Sequence, residues 1–530
     1  MKYSLFTILL LPAYAVGQTS LGYNLQRYAA PEGSMPAGLY QSNLDIEHTV
    51  SYAVRSNTAL LDRILNDSAW AAVQGEATAR NVVSGSFDND NTIGQYIHYD
   101  GRRKTFGQLL AAGERSIAGR GTLYGMACYR NGNRRDVSLN YAVHPEDYAP
   151  YLVSDTLGAS TFRQETYIVQ AGYSRGVGPM EVGMDIYYEG VAQARTHDPR
   201  HSNYSHLMRL GLSAGQAWAH QAVSLRIAPE WNRQAISSTS MQDGVRYFDF
   251  YGFGLWNHRE TQTAITYGRV QTLRGLMADA AWLYDGAWQW SANVGYHLRR
   301  MNTEEGSSYK NLFASTTHIL RQQLHVSHRV DDWQVYMQLT AIQGWRRGEE
   351  CVYEQQVQDA EQGLYDYVKV ATNRLYTYKW MNGDVRVKVL HHISPKASIG
   401  LLAAVGYDHS KEGYKVPSMH IDIRTLRSTL AAEYKQHRGA AQLELLAYAG
   451  MQQGWDCRYS IVGVTNPIQT TMAFIPYQLR GENHQLMGGS IAWGYDLMQN
   501  CTLGLRLRAD RLHSDYRKVN ALSADLFVLF

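Results

Sequence analysis

Apolar and polar residues alternate along much of this chain, and this alternation limits the fold more than any other feature of the sequence. In residues 288–299, Trp288 and Val294 share an apolar face, whereas Gln289 and Arg299 lie on the opposite, polar face. Successive side chains of a strand point to opposite faces, so such a run predicts a β-strand. The pattern recurs in residues 333–345, 385–389, 399–407 and 501–510.

The alternating runs have the length of strands that cross a membrane. Several reach ten residues or more, and a tilted strand needs about 9–11 residues to cross a bilayer. Aromatic residues stand near both ends of the apolar faces, as with Trp333 and Trp345. Aromatic girdles at the two membrane surfaces have this placement.

The connections between the runs alternate in length. Short turns are predicted at 285–286, 331–332, 394–395, 437–439 and 499–500. Long polar loops are predicted at 144–160, 190–204, 232–246, 301–309, 346–373, 409–420 and 452–483. This rhythm predicts an all-β fold, a transmembrane antiparallel β-barrel of about 18 strands, within a range of about 14–20.

The end of the chain fits the last strand of such a barrel. Leu522, Ala524, Leu526, Val528 and Phe530 occupy every second position. We expect this strand to pair with the first one, because a closed barrel leaves no sheet edge in lipid. An aromatic residue at the C-terminus resembles the signal by which outer-membrane barrels engage the barrel assembly machinery, so Phe530 is the candidate signal.

The start of the chain predicts export. Lys2, the apolar run 5–11 and the small residues Ala13 and Ala15 form the pattern of a signal peptide. We therefore divide the chain into a signal peptide at 1–17, an N-terminal periplasmic or plug-like segment at 18–85 and an outer-membrane barrel at 86–530. Residues 56–70 have the spacing of a short helix within the N-terminal segment.

Composition narrows the class of partner. The 530-residue chain has a net charge of +3 without a long Lys/Arg run, which argues against binding of nucleic acid. Its 38 tyrosines and 12 tryptophans suit two membrane surfaces, and they suit sugar-binding surfaces equally. The expected partners are outer-membrane lipid, the assembly machinery and other outer-membrane uptake proteins.

The chain resembles a family of Bacteroidota outer-membrane β-barrel proteins of unknown function. The resemblance covers most of the mature chain and rests on its rhythm of strands and loops, on residues 151–174 and on the DPRHSN motif at 198–203 after Tyr187 and Tyr188. It implies the outer membrane of a Gram-negative bacterium as the location. It implies no reaction, ligand or functional residue.

The polar faces of the strands carry many charged residues. The candidates for lining the lumen are Arg209, Arg226, Glu230, Arg299, Arg386, Lys388, Arg506, Arg508 and Asp510. A basic, water-filled lumen would favour anions. The alternative is a lumen filled by salt bridges or by a plug, without a net field.

Patterns of catalysis and metal binding are weak. His201, Ser202 and Asn203 suggest a hydrolase, but adjacent residues of a strand point in opposite directions. The histidines at 318, 325, 328, 391 and 392 have the wrong spacing on a strand for one metal ion. Phosphate loops and CxxC pairs are missing, so we predict no enzyme, cofactor or metal. Cys351 and Cys457 could form a disulfide or remain free.

Three functions remain open at this point. The first is passage or binding of a small solute, anionic if the basic residues are unpaired. The second is a barrel without transport whose long loops bind a partner protein or a glycan. The third is a membrane-embedded hydrolase that depends on Ser202.

Overall fold

The computed structural model describes most of the chain from residue 81 onward. It describes residues 81–529 except 118–119, 156, 219–220, 242–244, 252–254, 260–265, 306–309, 360–361, 363, 464–466 and 499–500. The predicted signal peptide at 1–17, the N-terminal segment as far as residue 80, its predicted helix and Phe530 lie outside the described residues. The first strand begins at the start of the described range, at Asn81.

The described residues form 22 strands and little helix. The strands are β1 (Asn81–Gly94), β2 (Arg103–Ile117), β3 (Gly121–Val137), β4 (Leu152–Ser154), β5 (Ser160–Val177), β6 (Met180–Arg195), β7 (Arg200–Ala217), β8 (Gln221–Thr239), β9 (Tyr247–Tyr251), β10 (Leu255–Arg259), β11 (Thr266–Asp285), β12 (Trp288–Glu305), β13 (Lys310–Val330), β14 (Trp333–Asp359), β15 (Leu364–Ser394), β16 (Ala397–Tyr414), β17 (Met419–Arg438), β18 (Ala441–Gly454), β19 (Arg458–Ile461), β20 (His484–Met498), β21 (Cys501–Ser514) and β22 (Arg517–Leu529).

Eighteen of these strands form one closed antiparallel barrel, so the predicted fold and strand number are confirmed. Each barrel strand pairs with its neighbour in the chain, and β22 closes the ring by pairing with β1 from Leu529 opposite Val82 to Arg517 opposite Gly94. β19 extends the sheet by pairing with one end of β17. The remaining strands, β4, β9 and β10, form a separate three-stranded sheet.

The two faces of the barrel strands follow the alternation in the sequence. In β12, Trp288 and Val294 are 51% and 48% exposed, whereas Gln289 and Arg299 are buried on the other side. Exposed tryptophans stand at both ends of the outer face, with Trp333 beside a short turn and Trp345 twelve positions further along β14. The outer surface is therefore apolar with aromatic ends, and the inner surface is polar.

Several predicted loops are in fact strands. The connection between β6 and β7 is only 196–199, and residues 301–305 and 409–414 continue β12 and β16. The largest correction concerns 346–373, where β14 and β15 run on as a two-stranded ribbon. Polar residues there do not end the strands, because a ribbon outside the barrel can expose polar side chains on both faces.

The other long connections contain insertions with structure of their own. Residues 138–159 contain the short helix α1 (Pro145–Tyr148) and β4. Residues 240–265 supply β9 and β10, and residues 455–483 contain α2 (Pro467–Gln469), a π-helical turn (Thr470–Phe474) and α3 (Ile475–Gly481). The predicted long loops at 144–160 and 452–483 thus coincide with insertions. None of the helices in the described ranges is long and apolar enough to cross a membrane.

Candidate functional site in the barrel lumen

The insertion between β3 and β5 lies in the lumen, enclosed by the barrel wall. We call its main part, residues 138–155, the inserted segment. Tyr141, Tyr148 and Tyr151 of this segment are 0% exposed. The segment touches inward-facing residues of β6, β7, β8, β12 and β14. Contacts with so many strands are possible only from within the lumen.

Hydrogen bonds fix the backbone of the inserted segment to β7 and β8. The Asn203 amide donates to the Tyr141 carbonyl at 2.8 Å. The Val143 N–H donates to Gln234 Oε1 at 2.8 Å, and the Tyr148 hydroxyl donates to Asn232 at 3.3 Å. These bonds satisfy several of the buried polar groups on both the segment and the wall.

A buried ion-pair network joins α1 to strands β7, β8 and β12 of the wall. Arg299 on β12 donates to Asp147 on α1 at 2.5 Å and to Glu230 on β8 at 3.0 Å. Glu230 also accepts a hydrogen bond from Arg209 on β7, and His297 lies 3.5 Å from it. Since Glu230 is only 1% exposed, its charge depends on these partners.

Two ionisable residues, one just before α1 and one within it, have shifted pKa values. Burial lowers the pKa of His144, but the Glu189 carboxylate 3.0 Å away outweighs this effect and the pKa is raised overall. Burial raises the pKa of Glu146 to about 7, although Arg480 and Arg346 act in the opposite direction. Glu146 therefore changes its charge near neutral pH.

The two other insertions are held by similar contacts. Arg269 on β11 pairs with Asp249 on β9, and the Tyr247 ring stacks on Tyr267 with centroids 4.8 Å apart. In the insertion before β20, Arg517 pairs with Glu482 at 2.6 Å. Charged wall residues thus anchor all three insertions.

The nine candidate lumen residues of the sequence analysis all have their side chains on the inner side, in two different arrangements. Arg209, Glu230 and Arg299 meet in the network beside α1. The others form separate pairs: Arg226 with Asp185 at 2.6 Å and Asp279 at 3.3 Å, Arg386 with Asp384 at 2.7 Å, Lys388 with Glu433 at 3.0 Å, Arg506 with Glu444 at 3.9 Å, and Arg508 with Asp510 at 3.1 Å. Each basic candidate has an acidic partner, so the basic residues do not leave a net positive wall.

Some residues that form these ion pairs were not among the candidate lumen residues of the sequence analysis. Asp185 and His297 occupy inward positions of β6 and β12. His297 falls on the polar face of the run 288–299, and the same alternation applied to β6 would have found Asp185. Asp147 has no such signal, because it lies in an insertion and meets a wall residue 152 positions away.

Strand geometry places the candidate catalytic and metal-binding residues on different faces of the wall. Ser202 bonds to Ser237 at 2.7 Å on the exposed face of β7, whereas the His201 ring stacks on Tyr141 inside, so the two do not form a nucleophile–base pair. His318 and His328 stack on Trp345 and Trp288 of the outer face.

The structure also bears on the metal and disulfide candidates of the sequence analysis. Within the described ranges, no group of three or more His, Cys, Asp or Glu residues could hold a metal ion. Cys351 and Cys457 are free thiols, as are Cys128 and Cys501.

Solved structures with similar folds share little sequence with this chain. The ferric preacinetobactin receptor BauA from Acinetobacter baumannii is 8% identical, with a TM-score of 0.34 over 85% of this chain and 80% of that chain. A mutant of the ferric enterobactin receptor PfeA from Pseudomonas aeruginosa is 9% identical, with a TM-score of 0.36 over 85% and 81%. The copper transporter OprC is 9% identical, with a TM-score of 0.39 over 85% and 81%. TM-scores this low carry no argument about a ligand.

The family to which the chain belongs can be identified, unlike a ligand. No curated protein matches this chain. A model described as a family of unknown function (DUF6850) matches residues 71–529, which include every strand of the barrel. The chain therefore belongs to the DUF6850 family.

Proposed function

We propose that this protein lies in the outer membrane of a Gram-negative bacterium, as its resemblance to Bacteroidota barrels implies, and passes a small polar solute through its lumen. The inserted segment controls this passage by moving aside from the wall. The observation that carries the proposal is the ion-pair network in which Arg299 joins Asp147 of the segment to Glu230 of the wall. The role is transport and involves no catalysis.

The outer surface of the barrel supports the membrane location. Trp333 and Trp345 stand twelve positions apart, which corresponds to about 30 Å across the membrane for a tilted strand. Exposed apolar residues such as Val335 and Leu339 lie between them. Such a surface suits contact with lipid. The proposed partners are outer-membrane lipid, the barrel assembly machinery and other uptake proteins.

The chemistry of the contact between segment and wall supports controlled passage. Around α1 the segment is joined to the wall by hydrogen bonds and ion pairs, which water can replace when the segment moves. Elsewhere it packs against the wall in apolar clusters, as Tyr141 does with Phe162 and Ile236, and these contacts would be lost when the segment leaves. The polar part of the contact therefore favours movement, and the apolar part is the reason why we expect openings to be rare.

Single-channel recording in a planar bilayer tests the proposal. We expect rare openings from the natural protein and more frequent openings from Asp147→Asn, which weakens the pairing with Arg299. Asp332→Asn, in the exposed turn after β13, is the matched control and should behave like the natural protein. If folded Asp147→Asn protein and natural protein are both silent, the passage proposal is wrong.

The ribbon of β14 and β15 favours a second candidate function. Tyr365, Tyr367, Val357 and Val370 are exposed on it, and an isolated two-stranded ribbon is only marginally stable. A barrel that binds a partner protein or a glycan through this ribbon would explain such residues. Loss of a surface-binding phenotype after deletion of the ribbon, with conductance unchanged, would favour this candidate over passage.

A further inference from the structure

A row of basic side chains crosses the outer face of the barrel, towards the end where the insertions begin. In the strand register, Arg274 of β11 lies directly opposite Arg300 of β12. Arg300 lies in line with Arg347 of β14, two strands further on, and Lys379 of β15 is a diagonal neighbour of Arg347. We call these four residues the basic row. It crosses five neighbouring strands, which corresponds to about 19 Å at a strand spacing of about 4.8 Å.

The basic row lies where the apolar part of the outer surface ends. Two positions nearer the short turns, the same strands carry the exposed residues Leu276, Leu298 and Trp345. Aromatic residues on such barrels mark the membrane surface, so the basic row lies at the depth of the lipid head groups. At the short-turn end of these strands, the outward side chains are instead aromatic or histidine, namely Tyr284, Trp288, His328, Trp333 and His391. The two membrane surfaces therefore meet different charges.

The nearest acidic residues on the outer face have other basic partners. Glu349 of β14 accepts hydrogen bonds from Arg300 at 2.6 Å and from Arg374 at 3.2 Å. Asp422 of β17 lies two strands beyond the end of the row and is 2.9 Å from His409. Neither carboxylate is therefore available to neutralise the rest of the basic row.

Three members of the basic row keep an unneutralised positive charge. Arg274, Arg347 and Lys379 are exposed, and none of them makes an ion pair with another residue that the structure describes. Arg274 also faces Arg300 directly across the strands, and like charges in this position destabilise a sheet. An anion beside the row would remove this repulsion.

The place of the basic row distinguishes between kinds of anion. Guanidinium groups bind phosphate with paired hydrogen bonds. The row lies on the outside of the wall rather than in an enclosed pocket, so a small anion in solution would be held by a few exposed side chains alone. A lipid phosphate is in addition held at this depth by its acyl chains, which meet Leu276 and Leu298.

We infer that the basic row binds the phosphate-bearing head group of an anionic lipid in the membrane leaflet on the side of the insertions. This inference rests on the membrane location in the proposed function and is independent of passage through the lumen. The lipid would bridge neighbouring strands, with its phosphate beside Arg274 and Arg347 and its acyl chains against the apolar surface.

Native mass spectrometry of the folded, full-length protein in detergent tests the inference with two probes of equal acyl chains, phosphatidic acid and phosphatidylcholine. We expect phosphatidic acid to bind more tightly, because the choline group neutralises the phosphate of the other lipid. Arg274→Gln combined with Arg347→Gln should weaken binding of phosphatidic acid by about tenfold or more.

The matched control removes two arginines from the other end of the barrel. Arg115 and Arg438 are exposed beside short turns, and neither makes an ion pair with a residue that the structure describes. Arg115→Gln combined with Arg438→Gln changes the net charge equally and should bind phosphatidic acid like the natural protein. Equal weakening in both double variants would overturn the inference, because net charge alone would then explain it.

Two further outcomes would also overturn the inference. One is equal binding of the two lipids, and the other is displacement of phosphatidic acid by an equal concentration of inorganic phosphate, since the row would then bind free phosphate. If the double variant does not fold, as judged by its mobility on unheated gels, the single variant Lys379→Gln provides the test. Lipid binding needs no open lumen, so a barrel that binds phosphatidic acid but never conducts would contradict the passage proposal and leave the lipid site in place.

Discussion

At the scale of single residues, Arg299 is the main connection between the inserted segment and the wall. It lies between Asp147 and Glu230, and all three side chains are buried. Arg299→Leu would leave two buried carboxylates without this partner, and such a change costs about 3–5 kcal/mol. We expect a correspondingly lower unfolding free energy in urea. Arg511→Leu, at an exposed position of β21, should change it little, and equal stability of the two variants would contradict the role of Arg299.

Glu146 provides a prediction about pH at the same scale. Its pKa is about 7 in the folded protein and near 4.5 ordinarily, so folding favours the protonated carboxyl. The stability that this group contributes is present below about pH 4.5 and is lost as the pH rises through about 7. Natural protein should therefore lose stability relative to Glu146→Gln between pH 5 and pH 8. A stability difference that stays constant across this range would show that Glu146 does not titrate there.

At the scale of elements, the ribbon of β14 and β15 is separate from the packing of the barrel. The described residues among 351–374 are mostly exposed. The Tyr353 hydroxyl donates to the Asn311 carbonyl near the base of the ribbon at 3.0 Å. We expect that replacing 352–372 by a short turn leaves the mobility shift on heating, a test of barrel folding, unchanged. Removal of residues 140–153 is the comparison and should lower the temperature of that shift. A barrel that cannot fold without the ribbon would contradict this separation.

At the scale of the whole molecule, the two faces of the wall must tolerate charge differently. Val294 is exposed on the outer face of β12, and its neighbour Asn293 is half-buried on the inner face. Val294→Arg should destabilise the barrel in lipid by about 2–4 kcal/mol, because the charge would face hydrocarbon. Asn293→Arg should cost much less. Equal effects on refolding into lipid vesicles would mean that this surface does not face a membrane.

Local alternation in the sequence was enough to predict the barrel, its number of strands and the direction of most side chains. Alternation is a local property, because neighbouring residues such as the apolar Trp288 and the polar Gln289 show which face of the strand is the outer one and which is the inner one. It also indicated that β22 closes on β1. It was wrong about 346–373, because polarity marks a loop only where a strand would have to bury one face.

Which charges meet inside the barrel depends on the three-dimensional fold and could not be predicted from the sequence. Arg299 was recognisable as an inward residue, but its partners are 69 and 152 positions away in the chain. Which carboxylate it reaches depends on the order of strands around the ring and on the segment that enters the lumen. The same holds for Arg506, which lies directly opposite Asp525 of β22 and also 3.9 Å from Glu444 of β18. Charge in the sequence shows what can pair, and geometry determines what does pair.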